Sequence, residues 1–421
     1  MGRVRPIRAS LSWSNSFRVT PLDDVFVLDL SRILSGPFCT MMLGDMGAKV
    51  VKVEPPPRGD DTRLWGPPFV NGISTYFLSI NRNKRSVGLN LKSPEGQEVL
   101  WKLVERADVI VENFRPGVLD KLGFGYDVVS RRNPRVIYAS ISGYGQTGPY
   151  RNRPGYDVVA QGESGIVDLT GEPDRQPVKV GASVADIVAG LYACQGILLA
   201  MLTRHRTGTG QRIDISLLDG MISTLTYQAM SYFATGRSPK RMGTRHPSIV
   251  PYETFETEDG FVNIGAANEK QWQNLCLALG FPDLAFDLRF ATMAGRLANY
   301  AELRGILDAA LRKLTRAQVF ELLARYELPV GPINTVAEVL EDSHVHAREM
   351  VQELTHPEYG PLRYLGIPVK LSETPGSLQS PPPRFGEHNR DVLRELGYTE
   401  RAIEQFSAGR VIAEAAPVLS Q

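Results

Sequence analysis

Two acidic residues stand where expected helices begin, and a carboxylate so placed either caps the helix or attacks an electrophile. Asp186 ends the stretch Gly181-Ala182-Ser183-Val184-Ala185-Asp186, in which Ser183-x-x-Asp186 has the form of a capping box. Asp157 ends Arg153-Pro154-Gly155-Tyr156-Asp157 and reads equally as a cap after Pro-Gly or as a reactive group, with Tyr156 beside it. The helix dipole favours an acid in a first turn in either role, so spacing leaves both readings open. A third feature is the turn Leu34-Ser35-Gly36-Pro37 between an expected strand and helix. Small residues at a helix N-terminus let backbone N–H groups approach an anion, although the same residues suit a plain tight turn. The turn lacks G-x-G-x-x-G, so a dinucleotide fingerprint is not supported. Arg245 and His246 lie in a polar, basic, Gly- and Pro-bearing stretch (236–251) that is either a linker or a functional loop.

These residues must be held by regular elements. Val25, Phe26, Val27, Leu28 and Leu30 form an apolar run with little alternation, as in a parallel strand covered on both faces, and a helix ended by Gly47 leads to a second strand at 48–53. Strand patterns recur at 87–91, 108–112, 135–141 and 212–217, with a helix at 94–106. This alternation predicts an α/β fold, a parallel sheet with helices on both faces. A helix at 183–204, apolar nearly all round, is expected to be buried, and another is expected over 219–235. Beyond the loop come a hairpin (252–256 and 261–265, joined through Asp259-Gly260), helices at 269–280, 299–313 and 315–326, and two terminal helices at 387–396 and 399–408. The expected organisation is a basic leader (1–22), a large α/β domain (23–235), a smaller α+β domain (236–365) and a C-terminal segment (366–421) returning to the large domain.

Composition narrows the class. The 421 residues exceed what one core usually supports. With 47 basic against 46 acidic residues the molecule has no field to draw it to nucleic acid or an anionic membrane. No membrane span is expected, and Cys39, Cys194 and Cys276 read as reduced core residues without metal spacing. No metal site is expected. Lys84 and Arg85 read as solvated loop charges. The leader carries Arg3, Arg5, Arg8 and Arg18 and no acid before residue 23, which suits either an unstructured leader of a cytoplasmic protein or a segment addressed to the mitochondrial matrix.

Seven blocks in order, LDLSRILSGPFCTMMLGDMGAKVVKVE, GDDTR, NRNKRSVGLNLKSPEG, DVIVENFRPG, GYGQTGP, VADIVAG and FGEHNRDVL, resemble the family III CoA-transferases. The resemblance is to the formyl-CoA:oxalate and especially the succinate-hydroxymethylglutarate enzymes. It implies an interlocked homodimer acting on an acyl-CoA and a carboxylic acid, with coenzyme A thioester as substrate and no tightly bound cofactor. Active sites would then lie between the large domain of one subunit and the small domain of the other. Asp186 lines up with the family's nucleophilic aspartate. Thioester exchange between two carboxylic acids is nearly isoenergetic, so an enzyme carboxylate preserves the activation as an anhydride and then an aspartyl-CoA thioester. Related racemases place a histidine at Tyr156, so tyrosine here argues against racemisation. The resemblance further implies CoA contacts from Arg32, Leu34, Ser35, Leu89, Lys92, Asn113, Phe114, Lys121 and Arg153. Pro55 stands where formyl-CoA transferases have an arginine, with Arg58 as the substitute. The Met242–Ser248 loop lacks their glycine run, and Arg245 and His246 are the expected contacts to a dicarboxylic acyl group.

Overall fold

The computed structural model describes residues 19–415, and the chain divides into two compact units. The first comprises residues up to 154, 186–216 and 349 onward; the second comprises 155–185 and 217–348. The boundaries expected at 235 and 365 therefore differ from this partition. Residues 155–185 and 217–235 group with the second unit, and 349–365 with the first. Most of the expected basic leader, residues 1–18, lies outside the described residues.

The first unit is built on six parallel strands in the order Lys84–Gly88, Lys49–Glu54, Phe26–Asp29, Val109–Glu112, Ile137–Ser142, Arg212–Ser216. The strand nearest the N-terminus lies inside the sheet, and the chain winds outward from it first to one side and then to the other. The order reverses between Phe26–Asp29 and Val109–Glu112, the kind of switch point where open α/β sheets seat ligands beyond the carboxyl ends of their strands. The helix Pro94–Arg106 forms where expected, because Ser93 caps it by accepting from Gly96 N (3.0 Å), Pro94 opens it and Arg106 closes it. It packs with Leu28, Ile110 and Tyr138 into one core with the C-terminal helices Asn389–Glu395 and Glu400–Ala408.

The C-terminal segment also closes an edge of this sheet. Ala413 N donates to Gly88 O, Gly88 N donates to Asn389 Oδ1, and Leu89 bridges Ile412. Asn83 N donates to Ser380 O while its side-chain carbonyl accepts from Gln379 and Ser380.

The helix Val184–Thr207 departs from expectation. A stripe of small and branched residues (Ala185, Ala189, Ala193, Ile197, Ala200) is buried, but Leu191, Leu198, Leu199 and Leu202 are exposed. An apolar circumference implied burial all round; within this chain only the small-residue face finds a neighbour. At Gly190 the helix comes so close to Ser35–Cys39 that a Cβ there would lie 2.8 Å from Ser35 O. By length and composition this helix is also apolar enough to cross a membrane, contrary to the expectation that no such run exists. Core helices of soluble proteins pass that test as well.

The second unit contains the hairpin Tyr252–Thr257 and Gly260–Gly265, joined by Val330–Pro332 into a three-stranded antiparallel sheet. Helices Glu269–Ala278, Tyr300–Leu311 and Arg316–Ala324 pack around Trp272, Phe255 and Leu307. The helix expected over 219–235 is two, Leu217–Ser223 and Thr226–Thr235, interrupted where Thr226 takes a φ of +42°.

Candidate functional site

The strand Phe26–Asp29 ends in a buried carboxylate that organises the turn after it. Asp29 accepts from Ser31 N (2.9 Å), the Ser31 hydroxyl, Thr40 Oγ1 (2.7 Å) and Lys84 Nζ (3.1 Å). Lys84 also donates to Pro37 O (2.8 Å) and Asn81 Oδ1 (3.0 Å), three acceptors that suit an ammonium. Lys84 is thus fully buried, not the solvated charge that its polar neighbourhood suggested. Burial alone raises the Asp29 carboxyl, but Lys84, Lys52 and the two hydroxyls outweigh it and hold the pKa at about 2. Lys52 pairs with Asp60 (2.9 Å) and donates to Ser31 O (2.7 Å). Glu54 receives Arg63 through Nε and Nη2, each at 2.7 Å, together with Ser86 Oγ and Asp60 N. Asp60 in turn accepts from Ile33 N at 3.3 Å, and Ile33 is held at a φ of +69°. A β-branched residue in that region is strained by about 1–3 kcal/mol, so this network fixes a turn the sequence would not adopt unaided.

Asn113, which follows the neighbouring strand Val109–Glu112, completes the crevice. Its Oδ1 accepts from Arg32 N (2.8 Å) and its Nδ2 donates to Arg32 O (2.6 Å) and Ser35 Oγ (3.4 Å). Arg32 projects over the Phe114 ring at 5.2 Å and lies 3.6 Å from Asp61. Arg32, Leu34, Ser35, Asn113 and Phe114 therefore meet at the switch point, with Leu34 and Ser35 buried at the start of the helix Ser35–Asp45. Beside them, burial pushes the Glu112 carboxyl up to about 7.

The remaining candidates are placed differently. The side chain of Leu89, a contact implied by the resemblance, is fully buried in the core. Arg58, Lys92 and Lys121 are exposed, and Arg153 stacks on Tyr150 at 3.6 Å.

Asp186 is the third residue of the helix Val184–Thr207, where first-turn N–H groups and the dipole favour an anion. The residue before it is anchored: Ala185 N donates to Asp157 Oδ1 (2.9 Å), and Asp157 Oδ2 accepts from Gln161 Nε2 (2.8 Å). Gln161 also takes Val180 N (2.9 Å). Asp157 thus satisfies a donor at the start of the long helix, and Tyr156 next to it is 60% exposed.

The loop 241–250 is pinned within the second unit. Gly243 N donates to Gly171 O, Arg241 pairs with Asp168 (2.8 Å), and Thr254 N donates to Thr244 Oγ1. His246 accepts from Ser248 N through Nδ1 and sits between the rings of Tyr227 (5.3 Å) and Tyr252 (5.5 Å), which leaves Nε2 as its donor. Arg245 stacks on Tyr300, 3.4 Å from the ring centre, and its buried Nε has no hydrogen-bond partner. Among the described residues no group of three or more His, Cys, Asp or Glu is arranged to hold a metal ion.

Sequence reasoning missed the charge network and Asn113's bridging role. The available signal was Asp29, Lys52 and Glu54 in strands otherwise rich in apolar residues, since charges there must be paired.

Comparison with known proteins identifies the family. The chain is 44% identical to the succinyl-CoA:glutarate CoA-transferase of Mus musculus over 395 residues, 94% of this chain and 91% of that protein. It is 42% identical to the succinate–glutarate CoA-transferase of Agrobacterium fabrum over 390 residues, 91% and 98% of the two chains. The crystal structure of a CAIB/BAIF family protein from Brucella suis superimposes with a TM-score of 0.81 at 45% identity, covering 90% of this chain and 99% of that one. Residues 22–389 match the profile of CoA-transferase family III, and the chain belongs to that family of enzymes.

Proposed function

We propose that the protein moves coenzyme A from succinyl-CoA to a second dicarboxylic acid of the glutarate type. The observation that carries the choice of acid is Arg245, a stacked guanidinium whose Nε is unsatisfied. Burying the far carboxylate of a dicarboxylic acyl group requires a cation or donors to meet it, and His246 Nε2 is a second donor on the same loop. Relatives named for glutarate support the reading.

In the proposed mechanism the Asp186 carboxylate attacks the thioester carbonyl, giving an aspartyl anhydride and the CoA thiolate. The thiolate then attacks the aspartyl carbonyl, forming an aspartyl-CoA thioester and releasing the first acid. An incoming acid displaces the thiolate to form a new anhydride, and the thiolate takes the new acyl group, restoring the carboxylate. Each step exchanges one acyl bond for another without ATP. The helix N-terminus would stabilise charge developing beside Asp186. Arg32, Ser35, Asn113 and Phe114 are proposed to hold the nucleotide end of CoA, with Arg58, Lys92, Lys121 and Arg153 as outer phosphate contacts. A second copy of the chain is the proposed partner, covering the exposed leucines of the long helix.

Labelled succinyl-CoA with a panel of acids tests the reading. Glutarate-like acids should be favoured over butyrate by about 10-fold or more, the scale of one charge-assisted hydrogen bond, and Arg245→Ala should remove most of that preference. Equal use of mono- and dicarboxylic acids by the parent would overturn it.

A further inference from the structure

Resting on the proposed dicarboxylate reading, we infer that Tyr300 is the positioning residue for acid selectivity: its ring keeps Arg245 away from Glu253 and so leaves that cation open to the substrate's far carboxylate. Three observations support this.

The first is that Arg245 is held by stacking alone. Its guanidinium lies over the Tyr300 ring, its Nε has no partner, and among the described residues it forms no ion pair. A cation stacked on an aromatic face keeps its in-plane donors available, which an ion pair would consume.

The second is that a competing carboxylate is close at hand and is held through one of its oxygens. Glu253 is buried, accepts from Tyr300 Oη (2.7 Å), and pairs with Arg304 Nη1. Arg304 also bonds Asp308 (2.9 Å) and Thr254 O (3.0 Å) and lies over Phe255. One edge of the Tyr300 phenol thus binds the acid while its face carries the cation.

The third is that the phenol stays protonated. Burial, its bond to Glu253 and the Glu253 charge raise its pKa to about 12, against the opposing Arg245. It therefore remains a donor to Glu253 at any physiological pH.

Without the ring, Arg245 would close onto Glu253 and the loop would present a neutral pair to the substrate. The measured quantity is the ratio of kcat/KM for glutarate to that for butyrate, with succinyl-CoA as donor. Tyr300→Leu should lower the ratio about 5-fold or more, mainly by raising the glutarate KM, and should raise the KM for succinyl-CoA too, because the succinyl far carboxylate meets the same cation. Tyr300→Phe keeps the ring and should hold the ratio within about twofold. The double variant Tyr300→Leu, Glu253→Gln should recover most of the ratio, because the competing charge is gone; a loss of packing alone would not be rescued this way. Should Tyr300→Leu fail to fold, Arg245→Lys with and without Glu253→Gln asks the same question, since an ammonium stacks poorly and reaches the acid. An unchanged ratio in Tyr300→Leu, or no recovery in either double variant, overturns the inference. Failure of Arg245→Ala to alter the ratio would instead overturn the dicarboxylate assignment itself.

Discussion

Replacing Lys84 with methionine keeps the stem of the side chain and removes the charge, which makes it a direct probe of the buried network that shapes the switch-point turn. With a folded pKa of about 2 against an ordinary 3.8, Asp29 contributes about 2 kcal/mol of stability through linkage. Its pKa is depressed, so that contribution is present above about pH 4 and is lost as pH falls towards 2. In Lys84→Met, burial is no longer opposed by the nearest cation, so the Asp29 pKa should rise and the contribution should disappear. Breaking a buried pair from one side costs about 3–5 kcal/mol, and the two donors of Ser31 and the hydroxyl of Thr40 that still reach Asp29 place the cost near 3. Urea unfolding followed by tryptophan fluorescence at pH 7.5 should show that loss, and the gap between variant and parent should narrow as pH falls from 5 to 3. Asp29→Asn with Lys84→Met should cost less than the sum of the single changes. A penalty under about 1 kcal/mol at pH 7.5, or one that does not vary with pH, would refute the argument that this pair is ionised and coupled.

Asp186→Asn should bind CoA but lose exchange by several orders of magnitude, and hydroxylamine added with acyl-CoA should trap a hydroxamate at Asp186 only in the parent; near-parental turnover would exclude the anhydride route. Glu112 has a raised pKa, so its stabilising protonated form prevails below about 4.5 and is lost as pH climbs through 7. Glu112→Gln should therefore gain up to about 3 kcal/mol at pH 8.5 and nothing at pH 4, measured by denaturation at both values. Gly190→Val would press a side chain onto Ser35 O and Phe38; it should cost about 1–3 kcal/mol and raise the KM for acyl-CoA, whereas an unchanged KM would separate the helix contact from the CoA turn.

The sequence made much of the secondary structure readable because its signals are local. Ser93-Pro94-Glu95 announces a helix start through one hydrogen bond and one dipole interaction, and Asp259-Gly260 announces a hairpin. The strand at Lys84–Gly88 was placed about three residues late, because its two leading cations read as loop when their partners lie 55 residues back at Asp29 and beyond residue 380. The same non-locality hid the Arg304–Glu253–Tyr300–Arg245 chain, whose members come from a loop, a strand and a helix. Asp186 could be nominated only through family resemblance, since a first-turn acid is common to caps and nucleophiles alike. The half-exposed long helix was misread for another reason: periodicity reports which faces are apolar, not whether one chain supplies a neighbour for each.

The closure of the Lys84–Gly88 edge by residues near 413 bears on how the protein is made. A ribosome working from the N-terminus releases that strand about 325 residues before Ala413 arrives to bond Gly88, roughly half a minute at ordinary elongation rates. Throughout that interval one margin of the nascent sheet carries open N–H and C=O groups, a template for wrong pairing. Production should consequently depend on holdase capacity more than on the equilibrium stability of the finished fold. Clipping the tail before residue 389 should convert soluble product into inclusion bodies.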